Sequence, residues 1–309
     1  MSVRAAAAWR LAKWAQVNRV TASAESLDRV IKSDRERSAR KGVAPPKAVR
    51  RRFSVRHEQT AGHQVFRIAP LATTPTRRLM YLHGGAWVTE IWPTHWNFIA
   101  DIAHRLNAEA IVPIYPLAPE HHAQDMHDML LSVYRDEIAR SGTDGLILIG
   151  DSAGATLALL LAMNARDHGL HQPDKISLLF PALDASFTNP GIADLAAVDV
   201  ILRQPGLQHA GRLYAGDLDV KDPLVSPLYG DLSGLPEISV RTGTYDLTLP
   251  DSLLLRDKAG QQGLPLDFQL YPKMTHGWIM APMQVLPEAR TARAALVEYL
   301  SAEPEISRP

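Results

Sequence analysis

The chain has no cysteine, which removes disulfides, thiolate metal sites and a cysteine nucleophile at once. No apolar run approaches the roughly 20 residues that a membrane-spanning helix needs. At the N-terminus, Arg4, Ala5 to Ala8 and Trp9-Arg10 return to charge too soon for a secretory signal. These absences fit a cytoplasmic protein, and that is the expectation. Charge of one sign is missing only in the sum. The formal net charge is zero, yet residues 1–56 carry a net +11 and the remainder a net −11. A basic arm suits nucleic acid, an anionic membrane surface, or a basic helix docked on an acidic body. No basic groove with interleaved aromatics accompanies it, so the docked helix is expected, without nucleic acid or stable membrane insertion.

What is present is enough chain, 309 residues, for one large α/β domain or two small ones. Residues 1–20 are helical in pattern, with Trp9, Leu11, Trp14, Val17 and Val20 forming an apolar surface. A charged second helix over 24–40 stops at Gly42 and Pro45-Pro46. This region, 1–48, has too little apolar material to stand alone and is expected to lie as a helical cap near the active-site mouth. From 49 to 309 the pattern is that of a single catalytic domain. Strands are expected at 52–58, 64–68, 78–82, 110–114, 145–149, 175–180, 236–241 and 266–271. Helices are expected at 95–107, 123–140, 153–165, 249–262 and 286–301. Residues 184–222 are irregular, with Pro190-Gly191 and Pro205-Gly206, and read as a cap insertion. Alternation of strand and helix predicts a mostly parallel, eight-stranded sheet covered by helices on both faces. Ligands on such sheets gather at the carboxyl ends of the strands.

The motifs fall at those ends. Leu146-Ile147-Leu148-Ile149 runs into Gly150-Asp151-Ser152-Ala153-Gly154, after which an Ala/Leu-rich helix begins. That is the sequence form of a nucleophile elbow, where small residues let a tight, strained turn present a serine. A serine hydroxyl needs a base, and the base needs a partner that fixes its tautomer. On this architecture the order is Ser, acid, His. Among the histidines that follow Ser152, His168 and His171 end the elbow helix, and His209 lies in the cap insertion. His276 follows the last strand and is the expected base. Asp246 is the expected acid; Asp251 competes but falls at the start of a helix, where a first-turn acid is commonplace. Acyl transfer also needs N–H donors aimed at the developing oxyanion. Gly84, Gly85 and Ala86 of His83-Gly84-Gly85-Ala86-Trp87, together with Ala153, are expected to supply them. Trp87 and Trp92 could wall the acyl pocket or belong to the core. Asp151, flanking the serine, is expected to position the elbow.

His83-Gly84-Gly85-x-Trp87, Tyr115-x-Leu117-Ala118-Pro119-Glu120-His121, Gly150-Asp151-Ser152-Ala153-Gly154, Asp222-Pro223-x-x-Ser226-Pro227-Leu228, Gly243-x-x-Asp246 and His276 stand in register. Together they resemble the hormone-sensitive-lipase-like family of α/β-hydrolases over roughly residues 50–300. The resemblance implies a serine carboxylesterase for short- to medium-chain esters, with an N-terminal helical cap and no cofactor. The chain departs from the family at Ala86, where glycine is usual, and at Pro116, where arginine is usual. Gly277-Trp278 also replaces an apolar residue and phenylalanine. These departures bear on substrate preference. The same machinery would serve a lactone, and a ligand-binding protein on this scaffold is the third reading, although such proteins typically lack the histidine. His121, His122, Asp125, His127 and Asp128 could ligate metal, but their spacing matches no zinc-helix signature, and a solvated helix face is expected. The expected partner is a small-molecule ester; whether the chain forms a homodimer is left open.

Overall fold

The computed structural model describes residues 1–141 and 145–302; residues 303–309 of the expected catalytic domain lie outside the described residues. The elements run α1 (Val3–Trp14), α2 (Ala24–Lys41), α3 (Lys47–Arg50), β1 (Phe53–Thr60), β2 (His63–Pro70), β3 (Arg77–Leu82), α4 (Pro93–Leu106) and β4 (Ala108–Pro113). Then come α5 (Ala123–Ser141), β5 (Leu146–Asp151), α6 (Ala153–Asp167), β6 (Lys175–Leu179), α7 (Ile192–Leu195) and α8 (Gln204–Ala215). The chain closes with β7 (Ile238–Tyr245), α9 (Leu249–Gln261), β8 (Leu266–Thr275) and α10 (Pro287–Ser301). The strands form one eight-stranded sheet in the order β1-β2-β4-β3-β5-β6-β7-β8. The pairs β1–β2 and β2–β4 are antiparallel and all later pairs are parallel.

The period-2 geometry of a strand explains how one sheet feeds two cores. In β5, Leu146 and Leu148 face one core and Ile147 and Ile149 the other. In β3, Met80 and Leu82 divide from Leu79 and Tyr81 in the same way. The first core takes in α5, α6, α8 and α9, the second α4 and α10. Nearly every residue of α6 from Ala153 to Ala165 is buried, so this helix is apolar all round and sits at the centre of its layer.

The N-terminal stretch differs from the single helix expected over 1–20. Gln16 adopts a left-handed conformation at φ 52°, which ends α1 and starts a separate 3₁₀ turn over Val17–Thr21. Of its apolar residues, Leu11 and Trp14 face solvent, while Trp9 is partly buried and donates from Nε1 to the Val198 carbonyl at 2.9 Å. The second helix is anchored more firmly. Arg35 of α2 donates to the carbonyls of Val88 and Ala118, each at 2.9 Å, and pairs with Glu120. Buried Asp34 accepts the Glu90 amide at 2.8 Å.

Candidate active site

Strand β5 delivers the chain to Ser152, whose φ of 52° and ψ of −120° are far from any regular structure. The flanking glycines are required by space. A Cβ on Gly150 would lie 2.2 Å from the Gly154 carbonyl oxygen, and one on Gly154 would lie 2.1 Å from that of Leu82. The end of β6 and the segment after it lock the strained turn from outside: the Ser152 amide donates to Leu179 O at 2.9 Å and its carbonyl accepts Ala182 N at 3.2 Å. Strain of this kind persists only where the surroundings over-determine it.

Three loops at the carboxyl ends of β5, β7 and β8 bring Ser152, Asp246 and His276 together. Ser152 Oγ stands 2.8 Å from His276 Nε2. His276 Nδ1 lies 3.0 and 3.1 Å from the two oxygens of Asp246. An ionised carboxylate can only accept, so Nδ1 carries the proton and Nε2 is left to accept from the serine hydroxyl. Asp246 is fully buried and also takes the Thr248 amide and hydroxyl on Oδ1, both at 2.9 Å. The ring of Phe180 meets His276 edge-on at 4.7 Å. Burial works against a charged imidazole at His276, but the Asp246 charge outweighs it and raises the pKa above the ordinary histidine value. Asp251, the rival acid, binds Asn189 Nδ2 instead at 2.7 Å, and burial pushes its carboxyl up to about 7. Of the other histidines, His209 pairs with Asp28, and the Nδ1 atoms of His168 and His171 lie 2.8 Å from nearby backbone carbonyls.

The glycine loop after β3 corrects one expectation. The Gly84 amide donates to Asp151 Oδ1 at 2.9 Å, so it is spent on the elbow and is not an oxyanion donor. The amides of Gly85, Ala86 and Ala153 donate to no protein acceptor among the described residues. The loop owes its course to unusual backbone angles. Gly85 sits at φ 131°, Ala86 at 52° and Trp87 at 61°. A Cβ on Gly85 would fall 2.4 Å from Thr89 Oγ1, so glycine is needed there, whereas Ala86 holds a left-handed conformation that glycine would adopt without strain.

Beneath this loop lies a buried polar layer that the sequence reading did not single out as a unit. Asp151, almost wholly buried, accepts the Tyr81 hydroxyl at 2.7 Å and has His95 Nε2 at 3.5 Å. Burial opposes its charge, yet His95, Tyr81 and the Gly84 amide together keep its carboxyl below the ordinary value. The Tyr115 hydroxyl donates to the His83 carbonyl, and the two rings stack at 4.5 Å. Burial drives the His83 pKa down to about 4. The signal lay in the motifs themselves, since His83, Tyr115 and Asp151 each belong to one.

Over the serine opens a cavity of about 310 Å³. Val17, Val20 and Leu27 line one side of it, Trp92, Phe180 and Leu207 others. Trp92 therefore walls the cavity, while Trp87 is core: it is wholly buried and stacks on Tyr214 at 4.6 Å. Among the departures from the family pattern, Ala86 and Gly277 line this cavity, and Pro116 lines a separate groove. Trp278 is buried against Tyr271. On the face of α5, His127 is not solvated as expected: it is buried, with Nε2 2.7 Å from the Leu224 carbonyl. Among the described residues no three metal-capable side chains gather, and no helix is long and apolar enough to cross a membrane.

The model of a family described as having the alpha/beta hydrolase fold matches residues 79–280. The chain is an α/β-hydrolase. It is similar to an esterase of Acinetobacter venetianus, 32% identical over 74% of this chain and 75% of that protein. It is also similar to an acetyl-hydrolase of Streptomyces hygroscopicus, 28% identical over 75% of this chain and 78% of the relative. Among solved structures, an esterase/lipase from an uncultured bacterium superposes with a TM-score of 0.75 at 27% identity, over 88% of this chain and 96% of that one. These findings agree with the hormone-sensitive-lipase-like motifs, and the α/β-hydrolase belongs to that branch.

Proposed function

We propose that this α/β-hydrolase cleaves carboxylic esters of short to medium acyl chain through an acyl-enzyme, with Ser152 as nucleophile, His276 as base and Asp246 as the orienting acid. The observation that carries the reading is the continuous hydrogen-bonded chain from Ser152 Oγ through both His276 nitrogens to Asp246. In the reaction, His276 Nε2 takes the serine proton as Oγ attacks the ester carbonyl. The carbonyl oxygen then becomes an oxyanion, held by the free amides of Gly85, Ala86 and Ala153 at the positive end of α6. The imidazolium returns its proton to the departing alcohol. Water, deprotonated by the same ring, then releases the acid and regenerates Ser152.

An apolar cavity of about 310 Å³ supports an acyl group of modest length. Division into an N-terminal cap at 1–48, a catalytic body at 49–309 and a cap insertion around 184–222 is part of the same reading. It is supported by the way Val17, Val20 and Leu207 join Ser152 around one cavity. A cytoplasmic setting and a small-molecule ester as partner also belong to this proposal. Replacing Ser152 with alanine is expected to abolish turnover of p-nitrophenyl butyrate, with a fall on the order of 10⁶ in kcat. Retained activity in that variant would reject the assignment.

A further inference from the structure

Next to Asp246 lies a second carboxylate for which the triad has no use. Asp199 is fully buried, and among the described residues its carboxylate is held by backbone amides alone. Its Oδ1 accepts Ile201 N at 2.7 Å and Leu202 N at 2.9 Å. Its Oδ2 accepts Leu247 N at 2.8 Å. That last amide belongs to the residue directly after Asp246, so the side chain ties the cap insertion to the loop carrying the acid. The main chain around Asp199 is itself braced from the N-terminal cap. Trp9 Nε1 donates to Val198 O, Asn18 Nδ2 to Asp199 O at 3.5 Å, and Arg203 N to Thr21 Oγ1 at 2.7 Å. The Arg203 guanidinium closes the turn on Asp199 O at 2.7 Å.

A second buried carboxylate near the first is costly unless something offsets it. Burial first, and the neighbouring Asp246 second, raise the Asp199 carboxyl to about 6. The charged and titratable groups around it are Asp246, His276 and Arg203, and the guanidinium turns to the backbone carbonyls of Ala196, Asp199 and Leu202 rather than to the carboxylate. Asp199 is among the groups that favour the charged form of His276, with Asp246 before it and Asp151 after. On the triad side of the carboxylate, positive charge therefore appears only when His276 accepts the serine proton. An interaction that strengthens as the reaction proceeds lowers the barrier.

We propose that Asp199 is a positioning residue for the reaction: its carboxylate fixes the Leu247 amide and with it the Asp246 loop, and its charge supports the imidazolium that forms at His276. The proposal rests on the triad reading above. It accounts for a buried acid inside a cap insertion, and it makes that insertion part of the catalytic framework as well as a wall of the cavity.

Asp199→Asn keeps the size, removes the charge and turns an NH₂ group toward one of the bound amides. With p-nitrophenyl butyrate, kcat should fall about 10-fold or more while KM stays within about twofold. The acid limb of the kcat/KM profile should move to lower pH, because the imidazolium has lost a supporting charge. A turn that merely holds the fold together would lower the amount of active protein without moving that limb. Wild-type kcat and an unmoved limb would overturn the proposal. Should Asp199→Asn fail to fold, Arg203→Met loosens the same turn from its outer side. A several-fold lower kcat at constant KM supports the role, and an unchanged kcat overturns it. Labelling with an organophosphonate ester separates the two layers of the argument. Wild type labelled at Ser152 beside unaffected variants removes only the Asp199 role, whereas unlabelled wild type removes the triad reading itself.

Discussion

The floor and the roof of the cavity are built on opposite principles. On the floor, Asp151 and Asp246 are buried and fully engaged by hydrogen bonds. The glycines beside Ser152 leave no room for even a methyl group. On the roof, Val17 and Val20 line the cavity yet remain 41% and 42% exposed, and nearby Leu11 and Trp14 face solvent. A floor that fixes a nucleophile must hold its atoms within fractions of an ångström, and close packing with satisfied polar groups does that. A roof that admits apolar substrate needs surface rather than precision. Under the proposed function, this difference would place chemistry at the carboxyl ends of the strands and substrate choice on the residues of the roof.

The sharpest way to break this comparison is on the floor. Asp246→Asn would leave the geometry but set the wrong imidazole tautomer, and kcat should drop about 10⁴-fold with KM little changed. Steady-state kinetics on the purified variant checks it; a loss confined to KM would mean that the floor does no chemistry.

A second test uses the buried layer under the oxyanion loop. His83 has a folded pKa of about 4 against an unfolded value near 6.5. The unfolded chain therefore binds a proton in that window that the folded one refuses, and stability should fall as pH drops from 6.5 toward 4. The size is about 3 kcal/mol. His276 acts in the opposite sense: its raised pKa adds stability at low pH that is lost as pH rises through the folded value. Denaturant melts of wild type and His83→Phe across this range should show a steeper acid loss in wild type. Parallel curves would remove His83 as the cause.

On the roof the effects should be small and specific to substrate. Val20→Ala removes apolar surface worth about 0.8 kcal/mol per lost methylene equivalent. KM for butyrate or longer esters should rise several-fold, and kcat for acetate should hold. A large loss of kcat would erase the distinction between the two regions.

The sequence was most informative where one local rule decides. The apolar run into Gly150-x-Ser152-x-Gly154 demands strand, turn and helix, and β5 and α6 follow. Asp246 and His276 could be favoured because order along the chain and position after a strand weigh against the alternatives. The error at Gly84 has a different origin. Glycine count suggests how many amides can approach a substrate, but only the side chain of Asp151, sixty-seven residues away in sequence, decides which amide is already taken. Asp199 and Thr248 were invisible for the same reason. Their roles are contacts between loops, and neither sits in a pattern with a period. The break at Gln16 is a left-handed turn on a residue other than glycine, and no periodicity in the sequence marks it.

The most direct test of the account is the site of covalent modification. Incubation with a p-nitrophenyl alkylphosphonate followed by peptide mass spectrometry should place a single adduct on Ser152, and His276→Ala should prevent its formation. An adduct on another residue, or none on a folded and monodisperse sample, would contradict the assignment of this serine as the nucleophile.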